Sequence, residues 1–375
     1  MNKRVSLILL VLGAVIIIVG LALMLVIVPG MKMLPDDVDI TRQYNVEFLT
    51  LLDAETLTFA RYAPGENPNL HIDRHAVAEE VEGEKILIRE EQTLLDGETV
   101  LASQLKLYPL DRKSMELLQD GIPEDWKKEG YWEREGLVIG WPIDTEQKDY
   151  NGWSDDYRSP VVLKYDSEQE HGGIDTYYFT SESDPQPIDP ADVERLGLPT
   201  SISADALATL ASSIDVEGVE LSFASRIKLL SFIQEAVAET QSEDVEGIPL
   251  VYYYDYKGEY WVEPQTGVLI DTRKYEHRAA SFPPEMMEAI QAKLDAQPDT
   301  AAADYLPPEI LGSLFPITVN EFVYQGTEDS VQNAREDAED AISQLTLYGQ
   351  TLPIGLIVVG VLLGLVGGYG LRKQT

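Results

Sequence analysis

The side chains able to carry acid–base or metal chemistry are few. The chain has four histidines, His71, His75, His171 and His277, and no cysteine. His71 and His75 lie four residues apart with Asp73 between them, a spacing that on a helix presents two ligands to zinc. Ile72 stands where the HExxH pattern needs its general-base glutamate, and the surrounding residues read as loop or strand. Surface histidines are the plainer reading, and no metal is expected. His171-Gly172-Gly173 suggests an oxyanion loop, but no G-x-S-x-G nucleophile elbow accompanies it; a turn is expected instead. Carboxylate pairs such as Asp155-Asp156 carry little information among 65 acidic residues. No phosphate loop and no dinucleotide-binding glycine pattern occurs. The sequence therefore predicts no catalytic residue, no cofactor and no enzyme activity.

The elements that must position any site begin with the two ends. Residues 5–28 form 24 uncharged positions in which Ser6 is the sole polar side chain, where about 20 suffice to span a bilayer. Leu352 to Leu371 is a second uncharged run. A cleaved signal peptide is the rival reading of the first run. Its apolar stretch exceeds the usual h-region, and Pro29-Gly30-Met31-Lys32-Met33 offers no small-x-small cleavage pattern. Lys3 and Arg4 precede the first span, while Arg372 and Lys373 follow the second. By the positive-inside rule both termini are expected in the cytoplasm. Lys32 sits on the opposite side. The expected division is an anchor at 1–30, an extracytoplasmic domain at 31–351, and a C-terminal span with a short tail at 352–375.

Glycines mark the spans. Gly13 and Gly20 are seven apart, and Gly360, Gly364 and Gly368 repeat every four residues. Small residues let helices approach closely in lipid, so these five are expected to pack the spans on each other or on a second copy of the chain, a homo-oligomer.

All acidic residues fall between the spans. Against 24 basic residues they give the outer domain a formal charge of −41. That excludes binding to nucleic-acid phosphates. It fits solubility in salty surroundings or repulsion from other acidic surfaces; no EF-hand spacing supports a divalent-cation site. At about 320 residues the domain can bury a core without disulfides.

Within it, Asp39 to about Leu110 reads as an antiparallel meander. Tyr44–Leu51 and Leu57–Tyr62 are β-rich, and Asp96-Gly97 is a hairpin turn between Ile86–Glu91 and Val100–Tyr108. Residues 131–180 are aromatic and strand-like, followed by a proline-rich link at Asp184–Pro187. A helical insertion is expected at about 190–243, its long helix from Ser222 to Thr240 burying Ile227, Leu230, Ile233 and Val237. Strands resume at Leu250–Tyr256, with a tight turn at Lys257-Gly258, a partner at Glu259–Val262, a second turn at Pro264–Gly267 and a third strand at Val268–Tyr275. Pro284–Gln297 returns to helix. A stalk helix at about 330–348 is expected to run into the second span. The fold class is α+β: an antiparallel β-rich ectodomain with a helical insertion, flanked by one transmembrane helix at each end.

Several short motifs carry a resemblance. They are Trp141-Pro142 with Thr145, Tyr150 and Trp153; Gly173 through Thr176-Tyr177 and Phe179; and Tyr260-Trp261-Val262-Glu263-Pro264-Gln265-Thr266-Gly267. Together with the two terminal spans, they resemble the PorA family of porin-like membrane proteins over nearly the whole chain. The resemblance implies a pore and brings no catalytic residues. A membrane β-barrel needs strands of about 10 residues with an apolar outer face, whereas the strands here read as short and acidic.

Three functions follow as expectations. The leading one is a non-enzymatic envelope protein whose outer domain binds or conveys an apolar ligand such as lipid, by analogy with the two-anchor architecture of scavenger-receptor fatty-acid translocases. It predicts an apolar groove or tunnel. The others are an oligomeric porin-like channel and a cell-surface interaction or scaffold protein. The tyrosine and tryptophan cluster at 252–261 is expected in the core.

Overall fold

The computed structural model describes residues 2–52, 59–61, 69–213, 222–240, 247–297 and 305–373. The strands are β1 (Asp39–Leu52), β2 (Phe59–Arg61), β3 (Leu70–Glu82), β4 (Lys85–Asp96), β5 (Thr99–Asp111), β6 (Tyr150–Ser154), β7 (Ser159–His171), β8 (Ile174–Pro187), β9 (Ser201–Ile202), β10 (Ile248–Pro249), β11 (Val251–Val262), β12 (Leu269–Ser281) and β13 (Ile317–Gly326). All but β9 and β10 belong to one sheet, in the order β5-β4-β3-β1-β13-β12-β11-β8-β7-β6, with β2 beside β1. Its named pairings are antiparallel, and it curls into a half-barrel. The two edge strands are tied together through the irregular chain between them: Leu110 bridges Leu117, Glu116 bridges Leu137, and Leu137 bridges Gly152.

The meander β3-β4-β5 forms as the hydrophobic pattern predicts, with β1 on its inner side. Leu57, Thr58 and Tyr62 lie outside the described residues. Four expectations need correction. Lys257-Gly258 is no turn: β11 runs straight through it, with Lys257 opposite Tyr275 and Gly258 opposite Lys274. A Cβ at Gly258 would lie 2.6 Å from the Tyr260 hydroxyl, so glycine is there for a close approach within a strand. Asp184–Pro187 continues β8 and pairs with β11, because Pro185 falls in the register break between Ser183 and Gln186 and Pro187 ends the strand, positions where a missing N–H costs little. Trp141–Asp144 is irregular rather than extended strand. Finally, the long strands are not short. Nine of them have 10 to 14 residues, since charged residues alternate with inward aromatics without breaking the ladder.

Three helices, Pro190–Arg195, Ala204–Ser213 and Phe223–Thr240, lie between β8 and β11. A second helical excursion, Pro284–Asp295 and Ile310–Leu314, lies between β12 and β13. The two excursions share one apolar cluster containing Leu229, Ile233, Ala236, Met286, Ile290 and Leu294. The Phe223–Thr240 helix buries Ile233 of the predicted stripe, with Leu230 and Val237 half-buried against the same cluster, but its centre is shifted to Leu229 and Ala236, and Ile227 is 52% exposed. Ala236, facing the Pro284–Asp295 helix, permits the closer approach.

The terminal helices are Lys3–Ala22, continued by a π-helical turn at Leu23–Ile27 to Val28–Met31, and Glu328–Thr346, continued by a π-helical turn at Leu347–Thr351 to Leu352–Arg372. Each π turn contains the residue four before a proline, Leu25 before Pro29 and Gly349 before Pro353. The wider turn relieves the clash of the proline ring with that carbonyl, and the helix continues. Both helices are long and apolar enough to cross a bilayer.

The two helices pack antiparallel. Ser6, Gly13 and Gly20 are buried on the first, and Pro353, Gly360 and Gly367 on the second. A Cβ at Gly13 would sit 2.5 Å from the Gly360 carbonyl oxygen, one at Gly367 2.7 Å from the Ser6 carbonyl oxygen, and one at Gly20 2.9 Å from Ile357 Cγ1. The Gly364 backbone approaches Gly13, but its own Cβ direction is open, as is that of Gly368. The contact therefore follows a seven-residue period on both helices, two turns that return to the same face. Gly367 occupies the place that the four-residue pattern gave to Gly368.

Candidate functional site

The family-like motifs, distant in sequence, meet at one place. Glu263, 2% exposed, directly follows β11 and builds the turn there. Its carboxylate accepts from the amides of Gln265 (3.1 Å) and Thr266 (2.8 Å) and from the Thr266 hydroxyl (2.6 Å). Gly267 closes the turn at φ +73° and lies so close to the Trp141 carbonyl that no Cβ fits. The loop carrying Trp141 docks on this turn. The Trp141 amide donates to the Gly267 carbonyl (3.2 Å) and the Thr145 amide to the Pro264 carbonyl (2.7 Å). Thr145 Oγ1 donates to the Pro142 carbonyl at 2.7 Å. The Trp141 ring lies 5.3 Å from Phe179 and 5.6 Å from Tyr260, and Tyr150 meets Phe179 edge-on at 5.9 Å.

This interlocked loop and turn form one wall of a groove of about 400 Å³. The wall presents Ile139, Trp141, Ile143 and Leu269. The opposite side is Ala341 and Leu345 of the Glu328–Thr346 helix, with Met33 and Leu34 from the segment after the first terminal helix. That helix is seated on the sheet through Val331, Ala334 and Ala338 against Ile270. Thr327 caps it, accepting from the Ser330 amide, and Ser330 Oγ accepts from the Gln43 amide of β1 at 2.6 Å. Ion pairs brace the groove on two sides: Arg42 of β1 with Asp337 at 2.6 Å, and Lys32 with Asp144 of the Trp141 loop. The pairing gives Lys32 a structural reason for standing just past the first apolar helix.

Deeper in the half-barrel, charges occur in matched sets. Arg74 pairs with Glu90, which also accepts from the Tyr108 hydroxyl at 2.8 Å. Asp155 is held by Lys106 (3.2 Å) and Arg134 (2.9 Å). Arg278 reaches Asp156 through two nitrogens (3.0 and 3.1 Å) and Glu276 at 2.9 Å, and Lys274 pairs with Glu276 at 2.8 Å. Burial alone would raise the Glu276 carboxyl, but Lys274 and Arg278 outweigh it and bring it down to about 2. Burial likewise opposes the Asp155 charge, yet Lys106 and Arg134 hold it well below the usual carboxylate range. Burial pushes the Tyr108 phenol up to about 12. Tyr252, Tyr254, Tyr256 and Trp261 are buried on β11. Asp155-Asp156, uninformative as a pair in sequence, thus serves two separate clusters.

Each histidine has its own structural partner. His75 Nε2 lies 2.8 Å from Asp39 and His71 Nδ1 3.2 Å from the Asn69 carbonyl. His171, at the β7–β8 turn, stacks on Trp261 at 4.1 Å and contacts Asp271 at 2.8 Å. His277 sits between Asp255 and Thr318. Among the described residues no group of three His, Cys, Asp or Glu is arranged to hold a metal ion.

Leu34, Ile139, Leu269 and Leu345, which line the groove, carry no signal alone in the sequence, and Trp141–Thr145 and Glu263–Gly267, which build its wall, stand out there only as family-like motifs. In comparisons with known proteins, a family model described as Porin PorA matches residues 5–369. A protein of Corynebacterium resistens named Porin PorA is 24% identical, over 98% of this chain and 96% of the relative.

Proposed function

Since this chain belongs to the PorA family, we propose that it is a two-anchor, porin-like envelope protein whose outer domain takes up and conveys an apolar ligand. The observation that carries this reading is the groove. Its volume of about 400 Å³ lies within the usual range of ligand sites, and its walls are mainly aliphatic and aromatic. Its position supports a ligand that comes from the membrane. Leu34 lies three residues past the end of the first helix at Met31, and Leu345 lies seven before Leu352. At 1.5 Å per residue that is about 10 Å above the second span. Both termini lie in the cytoplasm in this proposal, on the strength of Lys3, Arg4, Arg372 and Lys373, and the residues between the spans face outward.

A second reading is an oligomeric channel, favoured by the relative's name, Porin PorA. Several copies would have to surround the pore, because the glycine-lined faces of the two helices are used against each other within one chain. Native mass spectrometry of the intact protein separates the two. The groove reading predicts a single chain carrying a mass adduct of lipid size. A higher oligomer without adduct, with conductance in planar bilayers, favours the channel and rejects conveyance through the groove.

A further inference from the structure

The chain has five tryptophans. Four indole N–H groups have an acceptor: Trp126 on Glu80 (2.9 Å), Trp132 and Trp153 on Asp155 (3.2 and 3.1 Å), and Trp261 on Gln169 (3.1 Å). The fifth, Trp141, is 5% exposed and its Nε1–H has no acceptor among the described residues. A buried tryptophan N–H ordinarily finds a partner, and leaving it without one is unfavourable. Trp141 is also the tryptophan that lines the apolar groove. An indole N–H is a donor only, so it selects a ligand that offers an acceptor oxygen and gives nothing to a plain hydrocarbon.

We propose that the groove holds one acyl chain of a bilayer lipid, with the ester or carboxyl oxygen of that chain accepting a hydrogen bond from Trp141 Nε1. This rests on the groove reading above and specifies its ligand class. The chain lies along Ile139, Ile143, Leu269 and Leu345, and enters past Leu34 from the membrane side. The N–H is enclosed, so the oxygen reaches it as a neighbouring side chain yields. Met115 lines the same groove, and its Cε lies near the Gly140 backbone that precedes Trp141; an unbranched thioether adapts readily. Trp141 is thereby a specificity-determining residue: the apolar wall accepts any chain, and the indole favours acylated ones.

The test uses the full chain in nanodiscs of ether-linked lipid, so that the added probe is the sole ester. Methyl laurate and dodecane are the two probes, bound to wild type and to Trp141→Phe. Wild type is expected to hold the ester about tenfold more tightly than the alkane, the size of one net hydrogen bond, and to lower the ester carbonyl stretching frequency. Trp141→Phe is expected to erase that preference, ester and alkane binding equally in the variant, and an unfolding transition like that of wild type shows that the chain is still folded. A preference that survives in Trp141→Phe, or a wild type with neither preference nor carbonyl shift, overturns the inference and leaves the groove reading standing. A folded wild type that binds neither probe overturns both.

Discussion

Asp156 and Glu276 illustrate what single residues do inside the half-barrel. Arg278 is buried between them, so Asp156→Ala leaves a guanidinium short of a partner. A loss of about 3–5 kcal/mol is expected for breaking a buried pair from one side, measured by chemical denaturation of the intact protein. The pH dependence follows from the same groups. Glu276 has a folded value depressed to about 2, against about 4.3 when unfolded. Its contribution is present above that unfolded value and is lost as pH falls through about 2, with Asp155 acting in the same direction. Tyr108, Tyr157 and Tyr252 are pushed up to about 12, each chiefly by burial, against about 10 unfolded. Their contribution is full below pH 10 and is lost as pH rises through about 12. A stability profile is therefore expected to fall at both extremes, and a flat acid limb down to pH 2 would contradict the Lys274–Glu276–Arg278 account.

At the scale of elements, the helix pair is the most direct case. Gly367→Leu is expected to separate the two terminal helices, because the new side chain meets the Ser6 carbonyl and the Leu10 backbone. Gly368→Leu meets open space and is expected to leave them together. The chain has no cysteine, so spin labels on cysteines introduced at Asn2 and Lys373, at the adjoining ends of the antiparallel helices, report their separation without background. A short label distance kept in the Gly368→Leu background and lengthened with Gly367→Leu is the expected pattern. The four-residue repeat is the more conspicuous pattern in the sequence, but the glycines at the helix contact follow the seven-residue one. Elsewhere the sequence was legible where local chemistry sets the structure. The β4–β5 hairpin turns at Gly97, whose φ is +59°, directly after Asp96 ends β4, and the meander follows from alternation. It was opaque where a residue answers a distant partner. Gly258 reads as a turn until Tyr260 is seen lying across it, and Ile227 reads as core until the second helical excursion claims the Leu229 side of its helix. Gly267→Ala tests the corresponding long-range contact at the site. The added methyl collides with the Trp141 carbonyl at a positive φ, and a destabilisation of about 1–3 kcal/mol is expected from strain of that kind, with loss of groove binding.

For the whole molecule, the arrangement joins two helix roots, one seated stalk and an aromatic wall around the apolar groove. The half-barrel interior is filled with paired charges and tyrosines, which stiffen the wall that carries the groove. The long 45-residue helix Glu328–Arg372 links that wall to the apolar terminal pair as one element, so the groove and the helix pair share one helix. The residues between the two apolar helices carry a formal charge of −41, which keeps copies of the domain apart from one another. The central claim is that the groove takes an apolar chain. The most direct test is native mass spectrometry of wild type against Ala341→Trp, which fills the groove from the stalk side. The expected result is a lipid-sized adduct on wild type and a bare mass for the folded variant. A bare wild type, or an adduct that persists in Ala341→Trp, would contradict the account.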